Sequence, residues 1–281
     1  MSDFTADVYQ NEYLPPDGSE VNAIVTVASQ SGGAAGAQPD AAEIVIVDTS
    51  GSMGVPRAKI SAAREATSAA IDSIRDGVAF AVIAGTDKAR PVYPTDLSLA
   101  TASGRTRGEA KQAVSKLKAG GGTAIGSWLT LARRLFETAS GRVCHAILLT
   151  DGENEHETPE QLDAVLASCE DRFQCDCRGV GTDWQVSELR RIASALLGTV
   201  DIIADPADMA SDFRSMVESA MGKATGSVSL RLWTPQGARV AYVRQVAPTI
   251  EDLTPRSVEV NALTADYPTG SWGEESRDYH V

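Results

Sequence analysis

The sequence predicts an α/β protein. Its centre is a doubly wound, mostly parallel six-stranded sheet with one antiparallel edge strand, and a small discontinuous β-sandwich-like domain accompanies it. Three observations predict this. Between residues 41 and 222, short apolar runs alternate with stretches of helical period, the pattern of doubly buried strands joined by crossover helices. The flanks, residues 1–40 and 223–281, carry strand-like segments and no helix signal. The chain has 281 residues, which suits about two domains at roughly 150 residues each.

The N-terminal flank holds one strand, Val21 to Ala28, and then Ser29 to Gly36, which reads as a flexible linker by composition. Glu43 to Asp48 is a continuous apolar run that ends in a carboxylate. A helix follows from Arg57 to Ile74, with Ile60, Ala63, Thr67, Ala70, Ile71 and Ile74 at helical spacing and Gly77 as its stop. Val78 to Ala84 is the next strand. The turn from Gly85 to Lys88 is short, so Ala89 to Tyr93 must return antiparallel. Thr106 and Glu109 have capping-box spacing ahead of a helix that ends near Lys118. The triplet Gly120-Gly121-Gly122 precedes Thr123, and a helix runs from Ile125 to Thr138. The fourth strand, Val143 to Thr150, ends at Asp151-Gly152. Thr158 and Gln161 form a second capping box, with Pro159 at the first helical position, and that helix reaches Cys169. Strand Gln174–Val180, helix Glu188–Leu197, strand Thr199–Ala204 and helix Ala207–Met221 complete the alternation. Right-handed crossovers then place helices on both faces of the sheet.

Beyond Gly222, Val228–Trp233 and Val240–Val246 read as strands joined by the turn Thr234–Gly237. Val258–Leu263 and Tyr279–Val281 are also strand-like. A region of roughly 59 residues is marginal alone, so the N-terminal strand is expected to pair with it. The sequence stops inside a strand-like stretch, and we expect it to be the front part of a longer protein. No internal repeat of fixed period is present.

Lys and Arg total 25 against 38 Asp and Glu, a net charge of −13. Such a chain is repelled by nucleic acid and by anionic membranes. No apolar run reaches the roughly 18–20 residues of a spanning helix. The N-terminus is polar and acidic, which points to a cytoplasmic protein. Four cysteines are too few for a disulfide scaffold. Cys144, Cys169, Cys175 and Cys177 read as small buried thiols, with a Cys169–Cys175 disulfide as the next reading. His145 and His280 read as structural.

Ligands of an open α/β sheet bind outside the carboxyl ends of the strands, where the strand order reverses. Asp48 ends the first strand of the domain and Asp151 follows the fourth. In the order 3-2-1-4-5-6 these strands are neighbours, so both aspartates face one crevice. The loop Asp48-Thr49-Ser50-Gly51-Ser52 adds two hydroxyls, and the glycine loop brings Thr123 to the same edge. Two carboxylates and three hydroxyls are hard oxygen donors. They suit Mg²⁺, Mn²⁺ or Ca²⁺, and the lack of Cys and His speaks against Zn²⁺ or Cu²⁺. Two Asp just neutralise a divalent ion, so the ion stays electrophilic and can accept one more carboxylate.

Asp48-Thr49-Ser50-Gly51-Ser52 matches the D-x-S-x-S motif of von Willebrand factor type A domains, which the chain resembles over about residues 42–222. Thr123 after the glycine triplet matches the second motif, and Thr150-Asp151-Gly152 matches the third. The resemblance implies a Rossmann-like fold and a metal-ion-dependent adhesion site. Ser50, Ser52 and Thr123 would coordinate the ion, with Asp48 and Asp151 direct or through water. The flanking β segments resemble those of bacterial intracellular proteins of this class.

The expected function is therefore a non-enzymatic module that holds Mg²⁺ (or Mn²⁺ or Ca²⁺) and recruits a protein offering Asp or Glu. Met53, Glu153 and Glu155 are candidates for the partner-binding rim. Met53 could equally fill the space over the loop, and Glu153, Glu155, His156 and Glu157 read chiefly as a solvated acidic loop. Trp233, Trp272 and Tyr279 read as core anchors of the β region. The alternative is a Mg²⁺-dependent phosphohydrolase on the same fold. The haloacid-dehalogenase type wants a second Asp where Ser50 stands, and Lys59 has no evident role in the sequence. Neither a nucleophile elbow nor a P-loop lysine is present.

Overall fold

The computed structural model describes residues 3–11, 13–14, 16, 18–30, 40–139, 142–151, 154–180, 186–203, 205–223 and 225–281. The chain opens with β1 (Asp3–Gln10) and β2 (Ala23–Gln30). It continues through β3 (Ala41–Asp48), α1 (Ala58–Ser73), β4 (Ala79–Gly85), β5 (Ala89–Tyr93) and β6 (Ala100–Thr101). Next come α2 (Gly104–Val114), α3 (Ile125–Phe136), β7 (Val143–Thr150), α4 (Pro159–Cys169), β8 (Gln174–Val180), α5 (Val186–Ala195), β9 (Val200–Ile203) and α6 (Met209–Met221). The last strands are β10 (Thr225–Trp233), β11 (Arg244–Ala247), β12 (Glu251–Asp252), β13 (Val258–Asn261), β14 (Thr264–Trp272) and β15 (Glu275–His280). The chain divides into two compact units, Pro39–Gly222 and the pair of segments Met1–Gln38 and Lys223–Val281.

In the larger unit the sheet order is β5-β4-β3-β7-β8-β9. All neighbours are parallel except β5, which runs antiparallel along β4. The expected six strands gain a seventh, the two-residue β6, antiparallel to the start of β4. It is too short to leave a periodic signal in the sequence.

Every residue of β3 and β4 is buried, and alternation sorts their side chains between two cores. Val45, Val47, Phe80, Val82, Ile147 and Leu149 face α1, α2 and α6. Ile44, Ile46, Ala81, Ile83, Ala146 and Leu148 face α3, α4 and α5. Each large aliphatic or aromatic side chain withdrawn from water contributes about 1.5–3 kcal/mol. Ala63, Ala66 and Ala70 line the inner face of α1 and present little bulk to the sheet.

The caps follow the sequence with one correction. Thr158 and Gln161 cap α4 reciprocally, with Pro159 in the first turn. The box ahead of α2 is formed by Ser103 and Thr106, one turn before the expected Thr106–Glu109 pair. The Glu109 carboxylate instead accepts from Tyr93 and Arg105.

One polar cluster crosses the sheet near the start of its strands. His145 on β7 bonds Glu43 on β3 through Nδ1 (3.0 Å) and Asp176 on β8 through Nε2 (3.0 Å). Burial alone pushes His145 down, but the two carboxylates outweigh it and hold the imidazolium up at about 10. Cys169, Cys175 and Cys177 are buried, Cys144 is half-buried, and all four are free thiols.

The smaller unit has two antiparallel sheets, β1-β2-β15-β11-β12 and β10-β14-β13. Val25, Val243, Leu253, Tyr267, Trp272 and Tyr279 form its core. The expected hairpin through Thr234–Gly237 does not form. β10 pairs with β14, placing Leu230 opposite Tyr267, and β11 begins only at Arg244 and pairs with β15 and β12. Trp272 and Tyr279 anchor the core as expected, whereas Trp233 is 67% exposed. Of the expected linker, Ser29 and Gln30 belong to β2, and residues 31–36 lie outside the described residues. Among the described residues no helix is long and apolar enough to cross a membrane.

Candidate metal centre

β3 and β7 are adjacent parallel strands at the middle of the sheet, with Val47 beside Leu149. The chain leaves them in opposite directions along the sheet, so the strand order reverses between them. Their carboxyl ends carry Asp48 and Asp151, and both carboxylates are buried.

A continuous run of hydrogen bonds joins the two. The Asp48 Oδ1 accepts from the Ser50 amide at 2.7 Å. The Ser50 and Ser52 hydroxyls lie 2.9 Å apart, and Ser52 Oγ donates to Asp151 Oδ1 at 2.7 Å. The other oxygen of Asp48 accepts from Thr150 Oγ1 at 2.6 Å, and the other oxygen of Asp151 accepts from Lys59 Nζ at 2.7 Å. Ser50 is buried and Ser52 is exposed, so the run opens to solvent at Ser52.

Backbone bonds hold the loops together. Thr49 N–H donates to Gly85 O at 2.8 Å, Gly120 N–H to Thr49 O at 2.8 Å, and Gly51 N–H to Gly121 O at 2.9 Å. Gly121 has φ +92°, a conformation that favours glycine. A Cβ on Gly122 would lie 2.0 Å from the His156 ring. Thr123, buried beside the glycine triplet, is fixed from the loop after β7. Its N–H donates to His156 Nδ1 at 3.2 Å, and its carbonyl accepts from the His156 N–H at 3.0 Å. Asn154 Oδ1 accepts from Ile125 N–H, and the Glu157 carboxylate accepts from the Gly126 and Ser127 amides at 2.6 and 2.9 Å. An anion at a helix N-terminus satisfies otherwise orphaned donors.

These contacts add to the reading of this loop as solvated: Glu155 and His156 are exposed and Glu157 is half-buried, yet the loop also bonds the start of α3. His156 and Glu157 clamp the start of α3, and the candidate rim residue Glu155 is exposed to solvent. Glu153, like Gly152, lies outside the described residues. Met53 is corrected: it is 0% exposed and packs with the core under α1, so it fills space and offers nothing to a partner. Lys59 carried no role in the sequence reading. It shares the buried stripe of α1 with Ala63, Ala66 and Ala70, and a lysine on an apolar stripe was the signal that could have found it.

The donor set fits a hard cation. Burial pushes the Asp48 carboxyl above the usual carboxylate range, the Thr150 and Ser50 hydrogen bonds oppose this, and Asp151 adds to it. Among the described residues no Lys or Arg pairs with Asp48. A cation beside it would relieve that cost. Among the described residues no three His, Cys, Asp or Glu side chains gather as a metal site.

The von Willebrand factor type A domain profile matches residues 42–202. A solved structure described as von Willebrand factor type A from Catenulispora acidiphila is 50% identical and superposes with a TM-score of 0.95, over 99% of this chain and 64% of that one. Proximal thread matrix protein 1 from the mussel byssus, solved with a zinc-occupied MIDAS motif, is 25% identical with a TM-score of 0.53, over 70% of this chain and 48% of its own. An uncharacterized protein of Synechocystis sp. is 32% identical over 219 residues, 75% of this chain. This chain spans about half of that curated relative, 49% of its length.

Proposed function

The chain belongs to the von Willebrand factor type A family, and from that premise we propose that its larger unit is a divalent-cation-dependent protein-binding module. The observation that carries this reading is the hydrogen-bonded run Asp48–Ser50–Ser52–Asp151 at the reversal point of the sheet, with Thr123 held on the adjoining loop. Ser50, Ser52 and Thr123, with Asp48 and Asp151, would hold the ion. A bound ion would supply an electrophilic centre for an oxygen ligand from outside. The hydroxyls add no charge, so a partner's Asp or Glu is the ligand that best completes such a site. Oxygen donors favour Mg²⁺, Mn²⁺ or Ca²⁺. The zinc reported in the mussel protein adds Zn²⁺ to the ions to be tested.

Titration calorimetry of the metal-stripped protein with each of these ions tests the reading. We expect saturable binding to the wild type and none to Asp48→Ala, with the circular dichroism of the variant unchanged. A wild type that binds none of the four ions overturns it.

The phosphohydrolase alternative gains one observation, because Lys59 lies against Asp151. Ser50 still stands where a second nucleophile-site Asp is wanted. Mg²⁺-dependent hydrolysis of p-nitrophenyl phosphate that disappears in Asp48→Asn would replace the binding reading.

A further inference from the structure

Lys59 stands in the first turn of α1 with its side chain 9% exposed, and its Nζ is 2.7 Å from Asp151 Oδ2. Asp151 is fully buried. The stem of Lys59 lies on the same stripe as three alanines of the core. An apolar side chain would pack there without the desolvation cost of an ammonium. One of the two carboxylates that would hold an ion is thus already held by a cation that belongs to the fold.

We propose that Lys59 sets the charge of the centre, trading affinity for the ion alone for selectivity toward an anionic partner. This rests on the metal-binding reading above. Asp48, Asp151 and Lys59 together carry one negative charge, and a divalent ion brings the set to one positive charge. Without Lys59 the same loaded set would be neutral. The ammonium therefore has two effects of opposite sign: it repels the ion and attracts the ligand that follows. Ion and partner carboxylate then bind with positive coupling, each raising the affinity of the site for the other. A neutral peptide oxygen would gain much less from this arrangement than a full negative charge, which favours an acidic side chain as the occupant. At an effective dielectric of about 20, a unit charge a few ångströms away changes binding about tenfold or more.

The test uses Lys59→Gln and Lys59→Met, with Lys59→Arg as the variant that keeps the charge. Mn²⁺ binding is read by calorimetry. Fluoroacetate, a simple carboxylate, is read on the Mn²⁺-loaded protein by ¹⁹F line broadening. We expect both neutral variants to bind Mn²⁺ about tenfold or more tighter and fluoroacetate about tenfold more weakly, with Lys59→Arg resembling the wild type. A merely structural lysine would not move the two affinities in opposite directions. Natively folded neutral variants whose Mn²⁺ affinity is unchanged or reduced overturn the proposal while leaving the metal centre intact. Absence of Mn²⁺ binding in wild type and variants alike overturns the metal centre itself. Should the neutral variants fail to fold, ¹⁵N spectra of the lysine ammonium groups in the wild type decide. The Lys59 resonance is expected to shift as Mg²⁺ is added; a resonance that stays in place while calorimetry shows Mg²⁺ bound overturns the proposal, and no Mg²⁺ bound overturns the metal centre.

Discussion

His145 shows how one residue ties three strands together. Its ring bridges Glu43 on β3 and Asp176 on β8, and all three groups are withdrawn from bulk water. Removing one member of such a buried set leaves the others uncompensated, at a cost of about 3–5 kcal/mol. His145→Gln is therefore expected to lose stability of that order in urea unfolding at pH 6. The imidazolium is held up at about 10, against about 6.5 in an unfolded chain. A histidine raised in the folded state stabilises fully below its unfolded value and loses that contribution as the pH rises toward the folded one. The stability gap between wild type and His145→Gln should thus be widest at pH 6 and close progressively between about pH 6.5 and 10. A gap that is constant over this range would mean that the ring is neutral and acts only by hydrogen bonding.

At the scale of elements, the loop after β7 and the start of α3 behave as one device. Asn154, His156 and Glu157 together receive four backbone N–H groups from residues 123 to 127. Glu157→Ala is expected to destabilise the fold by about 1–2 kcal/mol, the range for losing a helix N-terminal cap. It should also weaken Mn²⁺ binding severalfold, because the start of α3, which directly follows Thr123, loses the carboxylate that holds it. Gly122→Ala approaches the same clamp from the other side, since its Cβ would drive the His156 ring off the loop. Thermal unfolding and Mn²⁺ titration of both variants read the two effects. The parts of this region that the sequence disclosed were those with a local pattern. The apolar runs of β3, β4 and β7 specify doubly buried strands, and their order placed Asp48 beside Asp151. The clamp was hidden because His156 and Glu157 act across about thirty residues of sequence on backbone groups, and an acidic stretch reads the same whether solvated or bound. Lys59 was hidden for a similar reason, its partner being 92 residues away. β1 and β14 escaped for a different one. β1 is exposed from Phe4 to Gln10, so no apolar face marks it. β14 contains Pro268 and Gly270, turn residues by composition, which the pairing with β10 accommodates through register shifts at Val228 and Ser229.

At the scale of the molecule, the two units draw their cores from separate residues. The larger is one unbroken segment, Pro39–Gly222, and the smaller is assembled from both ends of the chain. β2 lies directly against β15, with Ile24 beside His280 and Ser29 beside Glu275. Ala23 and Val281 exchange backbone hydrogen bonds at 2.9 Å in both directions. Val25 packs into the small core, and Phe4 meets the Trp272 ring edge-on at 5.4 Å. Deleting residues 1–38 removes β1 and β2 together and leaves β15 with an unpaired edge. The remaining C-terminal segment of roughly 59 residues is marginal in the surface it can bury, and it has lost an interior strand of its larger sheet. The expected outcome in hydrogen exchange is loss of protection across residues 225–281, with slow exchange retained in β3, β4, β7 and β8. Mn²⁺ affinity should stay within about twofold of the full chain, because every residue assigned to the centre belongs to the larger unit. Fast exchange in β3 and β7 of the truncated chain would show instead that the large core needs the small one. The metal centre would then depend on the pairing of the two chain ends.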